Sequence, residues 1–494
     1  LKMKLPQERA VEISLETLFR SNQLVNAQKE SQTPGNNSIY ETFEDLAITQ
    51  LYLEVEGSED RFSAILAVEE SEIYNFFTDI NSEFGDGYST GELDLDSPDG
   101  LIDSIHKNAP YEGVTNKGLF GALRKMLRRF LTKIASFVEH AGDLLDFALT
   151  MLREEKHLLR RLEGYYAQKD LNFLLVHYMM DMAYPFKGKV KFGFYKKQLP
   201  KMTRLEKYSQ GALIGFSAFD PIRCLSNNMT DGDIHKLLDQ ALSKGKIGFK
   251  FYPPMGFRAA DNSCQPGLEH VVDVFFDYCA ANGIPVFTHC TPEGFEQSPG
   301  KTGPNSNPKY WRSCLEKPGR ENLILCFGHA GGGLRKVGGR TVYGWLAGAN
   351  DQDKWEDPDN YARDVADICR TYKNVYCEIA YMHEIIGDDC NTAKFQERLA
   401  IELGDAANAG HDYHLSDKMM YGSDWHMPSM INDIGKYLDG ILEMFSDSDL
   451  SGHQDKFFYA NALKYLDLES QFDRLAASHG DQYIDGLKQR LQGT

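Results

Sequence analysis

From Leu171 onward the chain repeats one pattern seven times: a short apolar run, then a stretch long enough for a helix. The runs are Leu171–His177, Ala212–Phe219, Ile247–Tyr252, Ile284–His289, Leu323–His329, Asn374–Ile379 and Met419–Asp424. Asp231–Ser243 and Leu268–Asn282 fit crossover helices between them. Continuous apolar runs of this length read as strands buried on both faces. Strands alternating with helices imply a parallel sheet. The expected fold is therefore α/β, a (β/α)₈ TIM barrel with seven of its eight strands in view. The missing strand should precede Leu171, and the first 170 residues supply no convincing candidate. Either it lies upstream of Leu1 or the first strand is unusual.

Residues 1–170 read differently, as a mainly helical insertion or accessory region, with 171–494 as the barrel. Leu5–Lys29 and Glu44–Phe84 are helix-like, and Gly118–Gln168 carries leucines and phenylalanines at three- and four-residue spacing. Its basic residues Arg124, Lys125, Arg128 and Arg129 read as a solvated helix face. The region has three readings: a lid, a contact between copies in a homo-oligomer, or a surface for another partner.

Three of the apolar runs end on side chains that bind metals. His289 closes Pro285-Val286-Phe287-Thr288-His289, His329 follows Leu325-Cys326-Phe327-Gly328, and Asp424 follows Met420-Tyr421-Gly422-Ser423. The C-terminal strand ends of a barrel form its active-site floor, so these residues are expected to converge. A neutral imidazole is a good Zn²⁺ ligand. A carboxylate after a buried strand is costly unless it binds a metal or is hydrogen-bonded. The glycines after His329 leave room for a ligand, and His329 itself suits proton transfer near neutrality. Lys250, inside a buried strand, and Arg258, just beyond it, are candidate anchors for an anionic substrate group. His426 is a further substrate contact. His177, Asp181, Asp220, Arg223 and Glu378 also fall near strand ends, where they would line the barrel mouth.

The balance of 53 basic against 72 acidic residues, a net charge of −19, argues against nucleic-acid or anionic-membrane partners. No apolar run approaches a membrane span. Nine cysteines without a paired spacing fit free thiols in a reducing, cytoplasmic compartment. The expected partner is a small-molecule substrate.

Taken together these segments resemble the amidohydrolase superfamily, in its amidohydrolase-2 branch. The resemblance rests on Met179–Met182, Phe219–Arg223, Gly248–Gly256, Pro285–Cys290, Asn307-Pro308 with Trp311, Phe327–Gly332, Tyr421–Trp425 and Phe458–Ala462, in family order over about Leu171–Leu468. It implies a divalent metal, zinc first, with His289 and Asp424 as ligands. His329 would be a second-metal ligand or a general acid/base, and Asp424 would take the proton of a metal-bound water. Lys250 falls where related branches carry a carbamylated lysine. The implied activity is hydrolysis of a C–N or C–O bond of a small carbonyl or carboxylate substrate, with non-oxidative decarboxylation as the alternative. One departure stands out: the His-x-His of the family's first strand is absent, and only His106, His140 and His157 precede the matching region. Loss of an N-terminal strand accounts for this, as does a degenerate site in a non-catalytic barrel. The non-Met start favours the first.

Overall fold

The computed structural model describes residues 155–492, apart from 168, 170, 182–183, 185–192, 293, 295, 299–300, 338, 387, 426–433 and 447. The helical expectations at Leu5–Lys29 and Glu44–Phe84, and most of Gly118–Gln168, lie outside the described residues, as does His426. The chain divides into two compact units, Leu1–Leu162 with Trp425–Ile434, and Glu163–Asp424 with Gly435–Thr494. The sheet belongs to the second. Among the described residues no helix is long and apolar enough to cross a membrane.

Seven parallel strands form where the apolar runs fall: β1 Leu175–Tyr178, β2 Leu213–Phe219, β3 Gly248–Phe251, β4 Val286–His289, β5 Leu325–Gly328, β8 Val375–Ile379 and β9 Met419–Tyr421. A short antiparallel hairpin, β6 Arg335–Val337 with β7 Arg340–Val342, is inserted after β5. The sheet order follows the chain order without reversal, β1-β2-β3-β4-β5-β8-β9. An unreversed parallel order curls in one direction, which is the barrel solution. The curl is visible in the rings of Tyr178 on β1 and Phe287 on β4, which stack with centroids 3.8 Å apart. In a flat sheet, strands three positions apart would be separated by about 14 Å. Among the described residues no strand lies between β9 and β1, so seven of the eight barrel positions are filled.

Side chains alternate across each strand. The outward set is aromatic and packs on helices. Phe219 stacks on Phe275 of helix Leu268–Asn282 at 3.9 Å, and Phe251 meets Phe276 and Trp311 at 5.0 and 5.6 Å. Helices form where their ends are capped. Thr230 and Asp233 exchange hydrogen bonds as a capping box at the start of Asp231–Ser243. The inward set, with Ile214, Phe216, Phe287, Cys326, Tyr376 and Met420, meets Tyr465, Leu466, Tyr483 and Leu487 from the C-terminal helices. Those helices close the N-terminal end of the strands: Tyr483 donates to Leu213 O at 2.8 Å, and buried Asn461 donates to Ser416 O and Met419 O. The opposite end is left for chemistry.

His177 corrects one expectation. It faces the helix layer, not the mouth, because its neighbour Tyr178 takes the inward position. Its Nε2 lies 2.6 Å from Glu206 Oε1 on helix Gly193–Tyr208. Lys246 bonds both oxygens of Glu206 at 2.6 and 2.7 Å, and His479 Nε2 lies 3.2 Å away. Burial alone would raise the Glu206 carboxyl. The Lys246 ammonium and the two histidines overcome this and hold it at about 2. A group depressed in this way stabilises the fold above its unfolded value and loses that contribution as pH falls toward 2. Glu206→Gln strands a buried ammonium, so it should cost about 3–5 kcal/mol in urea unfolding at neutral pH. A loss below about 1 kcal/mol would show that the cluster is not coupled as drawn.

Candidate active site at the C-terminal strand ends

The strand ends opposite the C-terminal helices bring together His289, His329, Glu378 and Lys250. His289 is the last residue of β4 and is buried. Its ring packs on Tyr252 at 4.7 Å and edge-on against His329 at 4.8 Å, and its Nε2 lies 3.0 Å from Thr291 Oγ1. His329 follows β5 and is half-buried. Its Nδ1 lies 3.2 Å from Ala380 O. A carbonyl oxygen only accepts, so Nδ1 carries the proton and Nε2 of the neutral ring is the acceptor nitrogen. That tautomer suits a general base or a ligand.

The turn that presents His329 is strained. His329 and Ala330 have φ of 60° and 44°, a region non-glycine residues rarely enter, and Gly331 and Gly332 continue it at 87° and 83°. Trp345 Nε1 holds the turn through Ala330 O at 2.8 Å. The glycine run expected to make room for a ligand serves packing at Gly331: a Cβ there would meet the Tyr361–Ala362 backbone at 2.4 Å. His329 N donates to Glu378 Oε1 at 3.1 Å, tying the turn to β8.

Glu378 is the residue whose role the sequence left unassigned. It points inward from β8, 7% exposed, and its Oε2 has no hydrogen-bond partner among the described residues. Burial first, and the Asp424 charge second, push its carboxyl up to about 8, against the opposing pull of the His329 N–H and Lys250. At neutral pH it is mostly protonated and able to donate. It fits only because residue 422 is glycine, where a Cβ would sit 1.5 Å from Oε2. An acid in the apolar run Val375-Tyr376-Cys377-Glu378-Ile379 was the available signal.

Lys250 points inward from β3 with its ammonium nitrogen 5.6 Å from the Tyr178 ring centroid, 5.2 Å from Tyr252 and 5.7 Å from Phe287. Burial lowers its pKa, and the Asp424 and Glu378 charges oppose this. Asp424 is exposed, three residues past β9, with φ of 46°. Its charge is felt at Glu378 and Lys250. Arg258 is held in its own loop: its Nε donates to Asn305 Oδ1 at 2.9 Å, and its guanidinium covers Tyr310 at 4.5 Å. Asp220 caps helix Pro221–Ser226 through Ile222 N at 2.9 Å, and Asp181 pairs with buried Arg223.

The histidine pair is one short of the three protein ligands of a catalytic zinc site. Among the described residues no group of three His, Cys, Asp or Glu side chains is placed to hold a metal. These residues alone therefore do not fit the expected ion. All nine cysteines are free, seven of them buried.

No protein-family model and no curated protein matches the chain. Solved structures do. A protein of Pseudomonas putida described as a 2-pyrone-4,6-dicarboxylic acid hydrolase aligns with 63% of this chain and 88% of its own, at 12% identity and a TM-score of 0.37. A zinc-bound amidohydrolase of Burkholderia multivorans aligns over 62% and 87%, at 10% and 0.38. IDCase of Metarhizium anisopliae, in apo form, aligns over 63% and 79%, at 12% and 0.35. One of these neighbours is described as an amidohydrolase, the superfamily that the motifs resemble. At identities of 10–12% they carry no argument about chemistry, which rests on the residues above.

Glu378 makes stability depend on pH. Its folded pKa of about 8 lies above the ordinary 4.5 of a glutamate, so its contribution is full below the unfolded value and is lost as pH rises through 8. Urea unfolding between pH 5 and 8 should show stability falling by up to about 1.4 kcal/mol per pH unit from this group. Glu378→Gln should abolish that component. An unchanged slope in the variant would place the titrating group elsewhere.

Proposed function

We propose that the chain is a barrel enzyme of the amidohydrolase-2 type. It hydrolyses a C–N or C–O bond of a small substrate carrying a carbonyl or carboxylate group. The observation that carries this reading is the pairing of two proton-transfer groups of opposite readiness at adjacent inward positions. His329 has its acceptor nitrogen set by the Ala380 carbonyl, and Glu378 holds a proton at neutral pH. Groups whose environments push them apart in this way are the usual division between base and acid.

In the proposed reaction His329 Nε2 takes a proton from the attacking water, and the new C–O bond forms at the substrate carbonyl. Glu378 donates its proton to the departing nitrogen or oxygen. His289 and Tyr252 form the wall beside His329, and Lys250 offers an N–H to the carbonyl oxygen. Arg258, Asp424 and His426 are proposed as further contacts for the substrate. Water is supplied and one bond is cleaved, so the balance needs no further reactant. A divalent metal, zinc first, is what the family resemblance adds, with His289 and Asp424 named for it, but no third ligand joins them among the described residues. Because the described residues do not complete its ligand set, the steps are assigned to the chain's own groups. Non-oxidative decarboxylation is supported by the same acid: the proton on Glu378 could be delivered to carbon as CO₂ leaves.

Turnover of a panel of small amides, lactones and aromatic carboxylates in ¹⁸O-labelled water separates these outcomes. Hydrolysis places the label in the product acid; decarboxylation releases CO₂ and leaves no label in the organic product. His329→Asn should lower kcat by about 10²–10⁴-fold with circular dichroism unchanged. Asp424→Asn should also lose activity with the fold retained, and full turnover in that variant would remove Asp424 from the mechanism. No turnover across the panel, together with no metal in the purified full chain by elemental mass spectrometry, would favour a non-catalytic barrel.

A further inference from the structure

Two lysines four residues apart on one segment are treated in opposite ways. Lys246, just before β3, is buried and bonds both oxygens of Glu206. It is a structural cation, neutralised where it sits. Lys250, inside β3, is half-buried, and among the described residues no carboxylate lies within ion-pair distance. Its neighbours are the faces of Tyr178, Tyr252 and Phe287. Burial favours the uncharged amine. A desolvated amine without a carboxylate partner, on a side chain that is not fully buried, is the usual setting of a nucleophilic lysine.

We propose that Lys250 traps carbonyl compounds, its amine condensing with a small, apolar aldehyde or ketone to form a Schiff base in the barrel mouth. The class follows from the surroundings. Three aromatic rings line the amine and favour a planar, apolar body. The nearby Asp424 carboxylate disfavours a substrate with its own negative charge beside the carbonyl. This activity goes beyond the hydrolysis proposed above; it draws on the same Lys250 and Glu378, but reductive trapping reads it without turnover, so either proposal can fail alone.

The step balances without an oxidant or reductant. The amine nitrogen attacks the carbonyl carbon, a C–N bond forms, and the carbonyl electron pair moves to oxygen. The nitrogen loses one proton and the oxygen gains one, giving a carbinolamine. The Glu378 carboxyl, whose Oε2 has no partner among the described residues, then protonates that hydroxyl. Water departs, the nitrogen lone pair forms the C=N bond, and the positive iminium faces the carboxylate left on Glu378. Hydrolysis runs the same steps in reverse.

The test is reductive trapping of the full chain with benzaldehyde and cyanoborohydride at neutral pH, read by intact mass and peptide mapping. One benzyl group per chain, mapped to Lys250 at early times, is the expected result. Each unit by which the Lys250 pKa lies below that of surface lysines should speed labelling about tenfold relative to them. Lys250→Arg should lose this early label while keeping the wild-type unfolding midpoint. Glu378→Gln should slow trapping at Lys250 by about tenfold or more. Label spread over surface lysines with the Lys250 peptide unmodified would overturn the proposal. The wild-type map decides the matter even if a variant fails to fold.

Discussion

The alternation of side chains along seven parallel strands governs the rest of this structure. Each strand is buried on both faces, so every second residue must satisfy the helix layer and the others the barrel interior. On β3 the outward residues are Phe249 and Phe251, which meet Phe275 at 5.7 and 6.0 Å. The residue between them, Lys250, is thereby turned inward among Tyr178, Tyr252 and Phe287. On β8, outward Cys377 and Ile379 leave Glu378 facing in. The polar groups of the candidate site are thus placed by their apolar neighbours, whose burial costs nothing in lost hydrogen bonds.

The same rule separates two buried charge systems that sequence position alone would merge. On the outer face, His177, Glu206, Lys246 and His479 neutralise one another. A paired cluster of this kind holds helix Gly193–Tyr208 and helix Phe472–His479 to the sheet, and has no reactive group to spare. On the inner face, Lys250 and Glu378 are left under-compensated. Their protonation states shift toward the neutral forms because desolvation outweighs the nearby opposite charge. Perturbed groups at strand C-termini are the groups that the proposed chemistry draws on. The strained His329 turn completes the candidate site, since its backbone N–H is one of the few groups that Glu378 can bond.

Much of the fold was legible in the sequence. All seven apolar runs became strands, and Asp231–Ser243 and Leu268–Asn282 became helices with those bounds. Short-range signals suffice here: apolar run length marks the strands, and the Thr230–Asp233 capping box marks a helix start. His289 and His329 could be placed at neighbouring strand ends for the same reason. Other side chains have surroundings set by partners distant in sequence. Arg258 meets Asn305 and Tyr310, contacts that no local pattern announced. His177 sat near a strand end, but one residue of register put it on the outer face.

By itself, then, the sequence determined the strand and helix repeat, the barrel class, and which residues end on the strands' C-terminal rim. Periodicity and local capping encode these within a dozen residues. Only the tertiary structure decided that His329 presents Nε2, that Glu378 keeps its proton, that Asp424 stands exposed, and that among the described residues Lys250 lacks the carboxylate partner Lys246 has. The physical reason is that each of these depends on desolvation and on groups from several strands. Neither exists until the chain has closed around them.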